Sequence, residues 1–300
     1  MLVVAALGGN ALLRRGEALT AEAQRANVMR AADALARIVR AGHDLVVTHG
    51  NGPQIGLLAM QSDDWPLDIL GAETDGMIGY LIERELENAL DHDRPVATLL
   101  TQILVDPADP AFARPTKFVG PTWSEAEARA RACPKGWTIA KDGTGWRRVV
   151  PSPRPVDIPD LRAVRLLLDH GAVVICGGGG GIPVARTPDG RLHGVEAVVD
   201  KDRSSALLAQ RLEAQVLLLL TDVPCVMQGF GTPQAIGIPH LTPEEAEAMD
   251  LPDGSMGPKV QAAAAFARIT GGVGVIGRLD DAADMLDGIA GTRIAAEPGA

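Results

Sequence analysis

Several strand-length stretches of this chain are apolar without polar alternation, and each ends at glycine or at a polar turn. Leu2-Val3-Val4-Ala5-Ala6-Leu7 runs into Gly8-Gly9, Leu45-Val46-Val47-Thr48 into His49-Gly50-Asn51-Gly52, Ala172 to Cys176 into Gly177 through Gly181, and Val216 to Leu220 into Thr221-Asp222. Strands of this kind must be covered on both faces, which a parallel sheet with helices on each side provides. Helical stretches are predicted between them: from a Thr20 cap to about Gly42, Met77 to Leu90, Asp160 to Asp169 and Arg203 to Leu212. A strand is predicted over Val96 to Val105, and helices over Pro258 to Ile269 and Asp280 to Ile289 flank another at Val273 to Ile276. This β-α-β alternation predicts an α/β fold around a parallel sheet. At 300 residues the chain is read as one domain over 1–300.

The texture changes between residues 106 and 159, where nine of the 21 prolines and Trp123, Trp137 and Trp146 fall. Proline stops helices and central strands, so 106–159 is read as an inserted, lid-like subdomain of short hairpins and loops. Twenty-eight Lys plus Arg against 38 Asp plus Glu leave a formal charge of -10 with no basic run, which disfavours nucleic acid and anionic membranes as partners. The aliphatic runs are far shorter than the ~20 residues that span a bilayer, and Arg14 comes too late for a signal peptide, so a soluble cytoplasmic protein is expected. Cys133, Cys176 and Cys225 are widely spaced and expected to be core thiols, with neither a disulfide framework nor a zinc site.

The chemistry begins at the glycine turns. Gly8-Gly9-Asn10, Gly50-Asn51-Gly52 and Gly177 to Gly181 all follow strands, so in an open sheet they share the carboxyl edge, where peptide N–H groups can approach an anion. None has the P-loop pattern, and Pro183 stands where a dinucleotide fingerprint requires helix. A phosphate cradle also needs cations. Lys117 lies in Arg114-Pro115-Thr116-Lys117, Lys201 in Asp200-Lys201-Asp202 before Ser204 and Ser205, and Lys259 after Gly254-Ser255-Met256-Gly257-Pro258, with Pro258 read at the first helical position. A lone lysine is ordinarily a solvated charge, and the carboxylates beside Lys201 equally suit a surface ion pair. Asp222 suits either a contact to a ribose or a base edge, or a turn cap. The six histidines show no metal or triad spacing, so none is assigned catalysis.

Taken together these segments resemble the carbamate kinases of the amino-acid kinase superfamily over essentially the whole chain. The resemblance rests on Leu7-Gly8-Gly9-Asn10-Ala11-Leu12, Thr48-His49-Gly50-Asn51-Gly52-Pro53-Gln54, Gly76-Met77-Ile78-Gly79-Tyr80 and Pro115-Thr116-Lys117 with Gly120-Pro121. It continues through Arg147 to Pro153, Gly177 to Pro183, Val195 to Asp202, Thr221-Asp222-Val223 and Gly254 to Val260. Cys225-Val226-Met227 stands where the family usually has glycine, valine and tyrosine, and Phe118 after Lys117 is unusual.

The resemblance implies a three-layer αβα sandwich around a mostly parallel sheet, a small protruding subdomain, a cytoplasmic homodimer, a place in arginine metabolism, and Mg-ATP or Mg-ADP as nucleotide. It implies that Lys117, Lys201 and Lys259 face the transferring phosphoryl group and that Asp202 positions ammonium groups. Gly8, Gly9, Asn10, Gly50, Asn51 and Gly52 would bind phosphate or substrate. Thr221, Asp222, Val223, Met227, Met256 and Gly257 would hold the nucleotide, and no side chains are assigned to metal. The implied reaction is reversible phosphoryl transfer between ATP and carbamate. Carbamate is already an anion, so no general base is needed, and the lysines offset repulsion between the reactants. A kinase for a longer acceptor such as acetylglutamate is the rival within the superfamily; those enzymes tend to carry lysine where this chain has Leu7. A nucleotide-binding regulatory protein without catalysis is the rival outside it.

Overall fold

Strand Leu2–Leu7 alternates its side chains between two separate cores, which is why it tolerates no polar residue. Val3, Ala5 and Leu7 pack into one apolar cluster and Val4 and Ala6 into another, all fully buried. In a computed structural model of the chain, which describes residues 1–12, 17, 20–61, 65–251 and 256–296, this strand is central to the main sheet. Among the described residues that sheet has eight strands, ordered His240–Leu241, Thr292–Ile294, Val273–Arg278, Val216–Thr221, Leu2–Leu7, Asp44–His49, Val173–Ile175 and Val96–Thr98. Every pairing is parallel except Val273–Arg278 with Thr292–Ile294.

Helices Ala21–Arg40 and Leu67–Ala89 cover one face and Lys201–Arg211 and Met256–Thr270 the other, so the architecture is the three-layer αβα sandwich. Thr20 caps the first of these as expected, its hydroxyl accepting from the Ala23 N–H at 3.2 Å.

Four local expectations are corrected. The apolar run from Val96 to Val105 is two strands. Val96–Thr98 stays in the main sheet, whereas Gln102–Val105 pairs with Ile182–Arg186 and Pro155–Asp157 in a second sheet completed by Leu192–Gly194. The chain switches sheets at Thr101, whose carbonyl accepts from Ile182 N–H and whose hydroxyl donates to Leu99 O. The helix expected from Met77 begins ten residues earlier, at Leu67. The helix expected over Asp280 to Ile289 is a 3-10 turn, Leu279–Asp281, with the short helix Ala282–Leu286. Helix Met256–Thr270 starts two residues before the expected Pro258, which puts Pro258 at its third residue, still in the first turn where no N–H partner is lost.

Residues 106–159 contain a three-stranded antiparallel sheet, Lys117–Trp123, Gly145–Val150 and Thr138–Asp142. They also hold an unexpected helix, Glu125–Ala132, whose Ser124 and Glu127 form a capping box. Arg148 stacks over Trp137 at 4.3 Å and Arg131 over Trp123 at 5.4 Å, so these rings work as partners of guanidinium groups. Among the thiols only Cys176 is fully buried, Cys225 is half-buried, and Cys133 is exposed rather than in the core.

Candidate active site

Parallel strands bring the three glycine turns to one edge, because Val216–Thr221, Leu2–Leu7, Asp44–His49 and Val173–Ile175 are neighbours in the sheet. The turns use glycine for two purposes. The Gly8 and Gly50 N–H groups donate to Leu220 O at 3.0 Å and to Leu7 O at 3.1 Å, so these amides extend the ladder. A Cβ at Gly8 would lie 2.8 Å from Leu220 O, which makes its requirement steric. Amides free to meet an anion belong to the residues just beyond, at the starts of helices Gly9–Leu12 and Gly52–Gln61, where first-turn N–H groups have no intrahelical acceptor. The side chain of Asn10 lies outside the described residues, as do Gly254 and Ser255.

Gly178 to Gly181 serve packing. A Cβ at Gly178 would fall 1.9 Å from Asp75 Oδ1 and 2.4 Å from His49 Cε1, and one at Gly179 would fall 2.1 Å from Asn51 Nδ2. Those side chains form a buried layer beneath the turns. Asn51 donates to Thr74 Oγ1 at 2.9 Å, and His49 Nε2 lies 3.3 Å from Asp75 Oδ1 with both side chains fully buried. The pair escaped sequence reasoning because its members are far apart in the chain and share no local spacing.

The helix Lys201–Arg211 is pinned against this edge. Ser204 donates to Gly180 O at 2.7 Å; Ser205 donates to Lys201 O, which leaves Thr48 as donor to the Ser205 hydroxyl at 2.7 Å. Asp200 caps the helix, accepting from the N–H groups of Asp202 and Arg203 at 3.1 and 3.2 Å. Lys201 Nζ lies 2.8 Å from Asp202 Oδ1, and Lys259 Nζ, from the facing helix, donates to Asp202 Oδ2 at 2.8 Å. One carboxylate therefore holds two ammonium groups, with the three side chains between 7% and 14% exposed. Lys117, at the start of its strand, donates to Asp200 Oδ2 at 3.0 Å and is more open, 39% exposed.

Burial pushes the Asp202 carboxyl up, but the Lys201 and Lys259 charges outweigh it and hold the group well below the usual carboxylate range. Burial pushes the Lys201 ammonium down from its ordinary value, Asp202 opposes this, and the neighbouring Lys259 charge adds to it. Such a cluster is a preorganised positive site that needs little rearrangement to receive an anion.

Thr221 closes its strand beside Gly8, its hydroxyl donating to Asp222 Oδ1 at 3.2 Å. Met227 is half-buried on strand Val226–Gln228, Val223 is half-buried before it, and Met256 and the buried Gly257 open the helix that carries Lys259. Among the described residues, no three His, Cys, Asp or Glu side chains gather as a metal cage.

The sequence matches the amino acid kinase family over residues 1–276. It is 53% identical to a carbamate kinase of Rhizobium meliloti (strain 1021) over 98% of this chain and 93% of that protein. It is 49% identical to a carbamate kinase of Escherichia coli (strain K12) over 97% of this chain and 98% of the relative. A solved carbamate kinase from Giardia lamblia bound to AMP-PNP superposes with a TM-score of 0.91 at 39% identity, covering 98% of each chain. With Lys201 and Lys259 gathered on one carboxylate at the carboxyl edge of this sheet, the chain belongs to the amino acid kinase family and, within it, to the carbamate kinases.

Proposed function

We propose that this chain, an ATP-dependent phosphotransferase by its family, catalyses reversible transfer of the γ-phosphoryl group between ATP and carbamate, giving ADP and carbamoyl phosphate. The observation that carries the reading is the sharing of Asp202 by Lys201 and Lys259 at the sheet edge where the glycine turns open. A carbamate oxygen attacks the γ-phosphorus as the bond to the β,γ-bridging oxygen breaks, and that electron pair leaves with ADP. No proton moves, so the chemistry asks only for alignment and positive charge. Lys201 and Lys259 supply the charge from the body and Lys117 from the protruding sheet. Asp202 keeps the first two from repelling each other out of position.

The residues from Thr221 to Met227, with Met256 and Gly257, are the nucleotide side of the cleft, and Gly9, Asn10, Asn51 and Gly52 supply amides on the acceptor side. Gly8 and Gly50 contribute by letting the backbones close up. Residues 106–159 act as a lid that shields the acyl phosphate from water. Both Asp202 oxygens already face ammonium groups, so the described residues do not compose a protein-held Mg site. Mg would enter with the nucleotide, held by phosphate and water.

The family reading extends to a homodimer working in the cytoplasm in arginine metabolism. Ile69, Met77 and Tyr80 are exposed on one face of helix Leu67–Ala89, with Leu100 exposed nearby, an apolar strip suited to a second copy. No helix of the described residues is long and apolar enough to cross a membrane.

A donor panel tests the function. Carbamoyl phosphate, acetyl phosphate and acetylglutamyl phosphate are offered with Mg-ADP, and ATP is read by a coupled assay. Carbamoyl phosphate should be strongly preferred; preference for acetylglutamyl phosphate would establish the longer-acceptor rival, and no turnover with any donor the non-catalytic one.

A further inference from the structure

We infer that Asp200 is a positioning residue for this reaction: its carboxylate ties the lysine of the protruding sheet to the start of the helix bearing Lys201 and Asp202, so that the three ammonium groups meet the phosphoryl group in register. The inference rests on the reading of Lys117 as a phosphoryl-binding lysine. The two oxygens of Asp200 do different work. Oδ1 accepts from the Asp202 and Arg203 N–H groups, while Oδ2 accepts from Lys117 Nζ at 3.0 Å. Helix capping alone is satisfied equally well by serine or asparagine. What a carboxylate adds is the second, charged acceptor, aimed across to another part of the molecule.

That acceptor completes a seam between the protruding sheet and the segment leading into the helix. Arg148 donates to Glu196 Oε1 at 2.5 Å, Val198 N–H to Pro151 O at 3.0 Å, and Lys117 to Asp200 at the end nearest the site. Lys117 is 39% exposed and Asp200 17% exposed, so solvent screens the pair and its net contribution to stability is small. A contact of that strength can hold an ammonium in place and still give it up to a phosphoryl oxygen. The Lys201 and Lys259 contacts to Asp202 are more deeply buried and persist. Three lysines against two aspartates give the cluster one positive charge in excess, so an arriving phosphoryl group finds both net attraction and one cation ready to change partner.

The test is a double-mutant cycle on the full-length enzyme with Asp200→Asn, Lys117→Ala and both together, measuring kcat and KM for carbamoyl phosphate and ADP alongside the thermal midpoint. Asparagine keeps an oxygen for the helix N–H groups, so the fold and midpoint are retained. Asp200→Asn should lower kcat by roughly tenfold through misplacement of one charge, with KM little changed. In the double variant kcat should be no lower than in Lys117→Ala alone, because Asp200 acts through Lys117. Wild-type kcat in Asp200→Asn, or losses that multiply in the double variant, would overturn the inference. Unaltered kinetic constants in Lys117→Ala would instead remove Lys117 from the site, and the inference with it.

Discussion

Replacing Asp202 with asparagine removes one negative charge and almost no volume, and the structure fixes what should follow. The carboxylate stands 2.8 Å from both Lys201 Nζ and Lys259 Nζ, and those side chains are only 12% and 14% exposed, so water compensates little. Removing one partner of a buried ion pair costs ~3–5 kcal/mol, because charge is left stranded away from solvent. At about 2 °C per kcal/mol for a chain of this size, the thermal midpoint should fall by roughly 6–10 °C at pH 7. The deficit should depend on pH with a definite sign. In the variant, Lys201 has lost its counter-charge, so its folded pKa lies further below its unfolded value. The unfolded chain then binds more protons across that interval, and the variant regains stability as pH rises toward 10. Turnover should fall by ~10²–10³ as the two ammonium groups lose their placement. Calorimetry at pH 7 and pH 9.5, with coupled ATP formation from carbamoyl phosphate and ADP, gives both readouts. An unchanged midpoint at pH 7, or a deficit that grows with pH, would refute the assignment of Asp202 as the anchor of two charged lysines.

Four further outcomes follow from the same geometry. In the wild type, Asp202 has a depressed folded pKa, so its contribution is fully present above its unfolded pKa and is lost as pH falls through the folded value; acid unfolding of Asp202→Asn should therefore show less pH dependence than that of the wild type. Burial depresses the Lys201 ammonium below 10.5, so kcat should decline on the alkaline side at a lower pH than an ordinary lysine would give. Lys259→Met, which removes the neighbouring positive charge, should move that limb of the residual activity upward, and a downward shift would contradict the coupling. Gly178→Ala would place a methyl 1.9 Å from Asp75 Oδ1, so it should destabilise by about 1–3 kcal/mol and slow turnover; a wild-type melt would show that the buried layer yields.

Much of the fold was legible because a strand buried on both faces must be apolar throughout, and Leu2–Leu7, the Leu45 to Val47 core and Val216 to Leu220 announce themselves that way. Helix Leu67–Ala89 was only half visible. Its Thr74 and Asp75 are buried against the site, and a Cβ at Gly79 would come 2.3 Å from Thr98 Cγ2, so polar and glycine residues interrupt the apolar period for tertiary reasons. The switch between sheets at Thr101 has no sequence signal, since Val96 to Val105 is uniformly strand-like. The helix Glu125–Ala132 did have one, the Ser124-to-Glu127 capping box in a proline-free window, which the surrounding prolines obscured. At the site, Lys117, Lys201 and Lys259 stood out by their glycine, proline and acidic contexts. Nothing local could reveal that Lys201 and Lys259 share Asp202, nor that His49 meets Asp75, because those contacts exist only once the helices dock on the sheet edge.

The central claim is that converged ammonium groups allow two anions to exchange a phosphoryl group, and Lys201→Ala tests it most directly. Measured as ATP formed from carbamoyl phosphate and Mg-ADP, with folding checked by circular dichroism, kcat should fall by ~10²–10³ while the native fold is retained. Turnover at the wild-type rate in a folded Lys201→Ala enzyme would contradict it.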